Sequence, residues 1–191
     1  MIVAGVDYSM SCPALVIGEL GSDFSDLKFY SFAKQKRHIS IKKEIILLEY
    51  PEYINEQDRY DKISDIFINL ILSHNVDEVL MEGYAYGSNA GLVFQIAENT
   101  EVFKYKLFKN KIPFSVIPPA QIKKLFTGRG NANKGVMYTT FRDKHCPYCI
   151  FNAIGVPKVP NDIGNPVSDI IDAYAIWLIS DKINRDELTE S

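Results

Sequence analysis

Between residues 56 and 82 the chain carries the pattern that most restricts its fold. Ile63, Ile66, Phe67, Leu70 and Ile71 recur at i, i+3, i+4, i+7 and i+8, which puts one apolar face on a helix from about Glu56 to Ser73. After His74 and Asn75, the run Val76 to Met81 reads as a strand that ends in Glu82. An earlier apolar run, Ile2 to Val6, ends in Asp7 and is too continuous for a half-exposed strand, so it belongs in the middle of a sheet. A strand, a crossover helix and a strand of these lengths make a right-handed unit with parallel strands. The fold class is therefore α/β. If the strands ending in Asp7 and Glu82 pair, their carboxylates share one sheet edge. Two unpaired anions at a buried edge are costly, and one shared cation relieves both.

The rest of the chain extends this sheet. A polar turn from Tyr8 to Pro13 leads into Ala14 to Glu19, and Leu27 to Phe32 alternates in character, so three consecutive strands form an antiparallel meander. Residues 33–55 are polar and mixed, with Pro51 breaking any regular element, and read as an irregular or partly helical excursion. From Asn89 to Lys109, the residues Leu92, Val93, Ile96, Thr100, Phe103 and Leu107 share a helical stripe. Phe94, Val102 and Phe108 fall off it, which leaves apolar surface for a dimer contact. Phe114 to Ile117 reads as a last short strand, and a helix opens at Ala120 beyond Pro118 and Pro119. Asn133 or a neighbour caps another helix, from about Lys134 to Asp143.

The final helix opens near Pro166 and Ser168. Asp169 and Asp172, three residues apart, lie on one face of it, with Ile176 and Ile179 below them. Ala173, Tyr174, Trp177 and Leu178 pack inward, and the chain from Asp181 onward reads as a solvated tail.

With 191 residues, 47% of them hydrophobic, the chain suits a single domain over residues 1–191. No run is apolar enough to span a bilayer and the opening lacks the regions of a signal peptide, so a cytoplasmic protein without membrane association is expected. Three cysteines argue against a disulfide framework. Cys146 and Cys149 form half of a zinc ligand set, but Cys12, His38 and His74 supply no second close pair, and a loop with buried thiols is the plainer reading.

Charge is unevenly spread. Residues 104–144 hold ten basic residues against one acid, a local net of +9; the whole chain carries −3, so the remainder carries −12. Such a basic stretch inside an acidic protein is what a phosphate-binding surface needs, and Lys34, Lys36, Arg37, Lys42 and Lys43 extend it. Within it, Thr127 to Lys134 is glycine-rich, and its amides beside Arg129 and Lys134 can grip phosphate oxygens. It is not a nucleotide-hydrolysing phosphate loop, because the order of glycines and lysine differs and no Ser or Thr follows the lysine.

Asp7, Glu82, Asp169 and Asp172 each stand at the end of an apolar element rather than in a solvated charge run. Hard carboxylate oxygens suit Mg²⁺ or Mn²⁺, with substrate phosphates as further ligands. Beside a basic phosphate grip, they point to phosphodiester hydrolysis by two ions about 3.5–4 Å apart. A glycosidase pair fits less well, since it has no use for the basic segment.

At these residues the chain resembles the RuvC-family Holliday-junction resolvases of the RNase H-like superfamily, in a divergent or phage-like form. The resemblance rests on Gly5-Val6-Asp7, on Glu82, on Lys123, Gly128, Gly130, Ala132, Lys134 and Val136 in family-like order, and on Ser168-Asp169 with Asp172-Ala173. It implies a mixed five-stranded sheet flanked by helices, a homodimer, and paired nicks that resolve four-way, and more broadly branched, DNA in recombination and repair. Asp7, Glu82, Asp169 and Asp172 would be the catalytic metal ligands, holding two Mg²⁺ ions per active site, with Mn²⁺ able to substitute. Lys123 and Lys134 would contact the DNA backbone, with Lys124 and Arg129 on the same segment, and Tyr84 and Tyr86 flank the place of a base-stacking wedge. The compartment would be the cytoplasm, or the host's if phage-encoded. Two neighbouring readings share these residues: a nuclease for RNA–DNA hybrids or flaps, and a non-hydrolytic junction-binding protein. An actin-like ATPase would need a second glycine-rich phosphate hairpin that the sequence lacks.

Overall fold

The computed structural model describes residues 1–32, 45–83, 90–145 and 163–189, without the side chains of 90, 91 and 181–189. Lys34, Lys36, Arg37, His38, Lys42, Lys43, Tyr84, Tyr86, Cys146 and Cys149 lie outside the described residues.

Among the described residues six strands form one mixed sheet: β1 Ile2–Asp7, β2 Ala14–Glu19, β3 Lys28–Phe32, β4 Ile45–Leu48, β5 Glu78–Glu82 and β6 Phe114–Ile117, in the order β4-β3-β2-β1-β5-β6. The meander of β1, β2 and β3 is antiparallel. β5 runs parallel to β1, as the crossover pattern requires, and β6 parallel to β5. The expected five-stranded sheet is thus corrected to six. The additional strand, β4, comes from the stretch read as irregular: four apolar residues, Ile45 to Leu48, pair in parallel with β3. So short a run shows no periodicity of its own, and pairing with a neighbour decides its conformation.

Among the described residues two helices cover one face of the sheet and three the other. α1 Glu56–Ser73 and α2 Ala90–Lys109 pack on Ala4, Val6, Val79 and Met81 through Phe67, Ile71, Phe103 and Leu107. α1 begins where Asn55 caps it by accepting the N–H of Asp58 at 2.8 Å. On the opposite face, α3 Pro119–Thr127, α4 Lys134–Lys144 and α5 Val167–Thr189 enclose Val3 and Leu80. Between Val167 and Ser180, α5 is buried almost all round between the sheet, α3 and α4, which explains why its apolar residues there cover every side of the helix. It also runs through the segment expected to be a solvated tail, since helical structure persists to Thr189.

The stripe expected on α2 holds only in its second half. Thr100, Phe103 and Leu107 are buried, whereas Leu92, Val93 and Phe94 are exposed. Phe103 stacks on Tyr8, which stands at the edge of the sheet where β1 ends, with ring centroids 4.5 Å apart. Thirteen residues of α2 precede that contact, about 20 Å of helix at 1.5 Å per residue. The first half of α2 therefore overhangs the sheet edge, and among the described residues no strand lies beneath it to cover its apolar residues.

Candidate active site

The alternation of side chains along a strand sends Asp7 and Glu82 to the same face. In β1, Ala4 and Val6 belong to the α1–α2 core, so Val3, Gly5 and Asp7 point toward α5. In β5, Val79 and Met81 face α1 and α2, so Leu80 and Glu82 point toward α5. The parallel register pairs Val6 with Met81, which makes Asp7 and Glu82 neighbours one step further on.

α5 approaches this edge closely because residue 5 has no side chain. A Cβ at Gly5 would lie 2.4 Å from both the carbonyl oxygen of Ala173 and the amide nitrogen of Trp177. The Trp177 indole donates from Nε1 to the carbonyl of Gly18 at 3.3 Å, fixing the helix across β2. Held there, the first turns of α5 bring Asp169 and Asp172 over the ends of β1 and β5. Asp7 and Asp169 are only 8% and 5% exposed, and Glu82 and Asp172 are half-buried.

Burial and mutual repulsion act together on the four carboxyls. Burial raises the Asp7 carboxyl well above the usual carboxylate range, and the charges of Asp169, Asp172 and Glu82 raise it further. Asp172 is pushed up to about 7 by burial, then by Glu82 and Asp169. Burial also raises Glu82 and Asp169. Groups that shift one another in this way share one small volume.

Two lysines from the basic stretch complete the cluster. Lys134 acts favourably on Asp7, Asp169 and Asp172, and Lys123 on Glu82 and Asp172. Lys134 opens α4, where the helix dipole disfavours a cation; the acids opposite offset that cost. Its Nζ donates to Ser168 Oγ at 3.3 Å, and that hydroxyl lies 2.8 Å from Asn165 Oδ1 and 3.3 Å from Asp169 Oδ2. The turn between α3 and α4 is set by Gly128, which closes α3 with a φ of 83°, and by Thr127, whose Oγ1 accepts the N–H of Arg129 at 3.1 Å. Lys124 and Arg129 are exposed beside this turn.

The basic stretch does not form one surface. Lys106 on α2 is engaged by Asp61 and Asp65 of α1, and Lys104 pairs with Glu101 at 2.7 Å. Acids on α1 and α2 thus neutralise Lys104 and Lys106, while Lys123 of α3 and Lys134 of α4 stand at the carboxylates. Spacing along the sequence could not separate the two groups, because the α1 partners are some forty residues away in the chain.

All four donors are hard oxygens of the kind Mg²⁺ and Mn²⁺ prefer, and burying four like charges is unfavourable until a cation joins them. The donor set fits such ions. In this conformation, however, no three Asp, Glu, His or Cys side chains among the described residues are arranged as a ready-made metal cage. Asp169 accepts a hydrogen bond from Ser9 Oγ at 2.9 Å. The zinc alternative gains nothing from the described soft ligands: Cys12 is buried, His74 bonds the Tyr30 hydroxyl at 2.7 Å, and the His145 ring stacks on Phe126. Sequence reading missed Ser9, Ser11 and Asn165, short polar residues in turns that give no signal until the two ends of the chain meet.

Residues 35–141, more than half of the chain, match the family described as crossover junction endodeoxyribonuclease RuvC. The chain belongs to the RuvC family. A RuvC of Nitratiruptor sp. is 28% identical over 104 residues, which cover 54% of this chain and 57% of that relative. The chain spans about half the length of the curated RuvC relatives it matches. The structure of Thermus thermophilus RuvC superposes with a TM-score of 0.61 at 14% identity, covering 96% of this chain and 97% of that one. The same protein in complex with Holliday junction substrate gives 0.55 at 12% identity, over 92% and 89%. The RuvC fold is thus shared across nearly the whole chain, despite low identity. No helix among the described residues is long and apolar enough to cross a membrane.

Proposed function

We propose that this RuvC-family chain is a metal-dependent endonuclease that resolves four-way DNA junctions by paired phosphodiester hydrolysis. One observation carries the reading: four carboxylates from three separate elements meet at one sheet edge, with Lys123 and Lys134 of the basic segment beside them. Family membership supports it, as does the Holliday junction bound to the similar T. thermophilus protein.

Asp7, Glu82, Asp169 and Asp172 would hold Mg²⁺ or Mn²⁺, which supplies an activated water and stabilises the leaving oxygen. The chain's own part is positioning and charge. Lys134 and Lys123 bind the phosphates flanking the scissile bond and draw the backbone into an otherwise repulsive acidic edge. Arg129 and Lys124 extend the grip along the strand. Ser168 holds the Lys134 ammonium next to Asp169, so phosphate binding and the acidic centre keep a fixed separation. A homodimer follows from the substrate, since two symmetric nicks require two sites related by a two-fold axis. The exposed Leu92, Val93 and Phe94 on the overhanging half of α2 supply its contact surface, and Phe94→Asp is expected to yield monomers in sedimentation. The compartment in this reading is the cytoplasm, or the host's cytoplasm for a phage-encoded chain.

The test is cleavage of labelled four-way, three-way, flap, duplex and RNA–DNA hybrid substrates in Mg²⁺, Mn²⁺ and EDTA, with Asp169→Asn alongside. Paired symmetric nicks in the four-way junction, lost in EDTA and in the variant, are expected. Preferential cutting of hybrids or flaps would move the substrate class, and binding without cutting would make the chain a junction scaffold.

A further inference from the structure

The hydrogen bonds around Asp169 give a role to the loop between β1 and β2. Ser9 lies two residues beyond Asp7 and is half-buried. Its hydroxyl donates to Asp169 Oδ1 at 2.9 Å and accepts the backbone N–H of Cys12 at 3.3 Å. A serine hydroxyl has one proton, and here it is committed to the carboxylate.

The loop that carries Ser9 is pinned from three directions. Arg59 of α1, itself buried, donates from Nη1 to the Met10 carbonyl at 2.7 Å, while its Nη2 is held by Glu56 at 2.6 Å. The Tyr50 hydroxyl donates to the Ser11 carbonyl at 2.6 Å. Asn165, just ahead of α5, donates from Nδ2 to Ser11 Oγ at 3.1 Å. Burying an arginine and a tyrosine hydroxyl to hold two carbonyls of a six-residue turn is more than closing the turn requires. Together they fix where the Ser9 hydroxyl points.

We propose that Ser9 is a positioning residue for divalent-metal capture: its hydrogen bond fixes the rotation of the Asp169 carboxylate at the acidic edge, and Tyr50 and Arg59 act through it. The proposal rests on the reading of the four acids as metal ligands. A ligating carboxylate held by a hydrogen-bond donor loses less rotational freedom on binding, and removing such a donor usually weakens metal affinity roughly ten- to a hundredfold.

The experiment is calorimetric titration of the DNA-free protein with Mn²⁺, for wild type, Ser9→Ala, Ser9→Thr, Tyr50→Phe and the Ser9→Ala/Tyr50→Phe double variant, with thermal melts in EDTA. Ser9→Ala is expected to weaken Mn²⁺ binding about tenfold, and Ser9→Thr, which keeps the hydroxyl, to recover most of it. Tyr50→Phe loses less, and the double variant binds no worse than Ser9→Ala alone, because both changes reach the metal by one route. Melting in EDTA stays close to wild type throughout. Wild-type Mn²⁺ affinity in Ser9→Ala overturns the proposal, as do additive losses in the double variant. Lower stability with unchanged affinity overturns it too, since the bond then serves only to pack the loop. If the wild type itself binds no Mn²⁺, the metal reading falls with it; if the wild type binds and Ser9→Ala binds equally, only the role of Ser9 falls.

Discussion

Replacing Asp172 by Asn should make the metal-free protein more stable while removing a ligand from its site. Burial, with Glu82 and Asp169 next in weight, raises the Asp172 carboxyl from 3.8 to about 7. Three units at about 1.4 kcal/mol each set an upper limit of about 4 kcal/mol on the destabilisation caused by ionising it. Asp172 is half-buried, so solvent screening lowers the figure, and the asparagine amide must still be desolvated; about 2 kcal/mol is the working value. The sign follows from linkage. The folded carboxyl holds its proton in a range where the unfolded one has lost it, so the penalty is absent below about pH 4, grows from pH 4 to 7 and is complete above. Neutral asparagine escapes it at every pH. In EDTA at pH 8 the variant should melt about 4–8 °C above wild type, at 2–4 °C per kcal/mol for a chain of this length. The gap should close as the pH falls toward 4, and Mn²⁺ should raise the wild-type melting temperature more than the variant's. Differential scanning calorimetry across pH measures all three. Equal or lower stability of the variant at pH 8, or a gap that persists at pH 4, would refute the account of the site as a cluster of mutually repelling buried acids.

Asp7→Asn should abolish cutting of a four-way junction while leaving junction binding intact in a gel-shift assay, because the basic residues stay in place. Lys134→Ala should weaken binding and reduce the slope of log K against log salt by about 1, measured by fluorescence anisotropy over a salt series. Gly5→Ala should cost about 3 kcal/mol or more, since its methyl meets backbone of α5 that has no flexible end to yield; chemical denaturation reads the loss, and metal affinity should fall with it as α5 lifts off the sheet.

Much of this arrangement was legible in the sequence because the relevant signals are local. The 3.6-residue period of α1 and the apolar runs closing in Asp7 and Glu82 specify a crossover and therefore a shared edge, which the parallel β1–β5 register bears out. Asn133 capping α4 was likewise visible as a residue type suited to that position. What escaped depends on partners remote in the chain. Ile45 to Leu48 is a strand only because β3 offers it an edge. Leu92 and Val93 follow the stripe of α2, yet nothing in the period of a helix says where the sheet beneath it stops. Lys106 and Lys134 look equivalent in a charge profile, and only the fold gives one to the carboxylates of α1 and the other to the acidic edge.

The close seat of α5 on Gly5 ties the start of the chain to its far end, and this gives the site a place in time. Ser9 and Asp169 are 160 residues apart, so at 5–20 residues per second roughly ten to thirty seconds of synthesis separate their appearance. Over that interval the nascent chain gains Glu82 and then the lysines of α3 and α4, and until α5 appears it lacks Asp169 and Asp172, half of the four site carboxylates. A translation product that stops short of α5 has no complete acidic centre. The order of synthesis thus keeps the proposed cutting chemistry off until α5 has emerged, and the helix that closes this core is also the one that assembles the site.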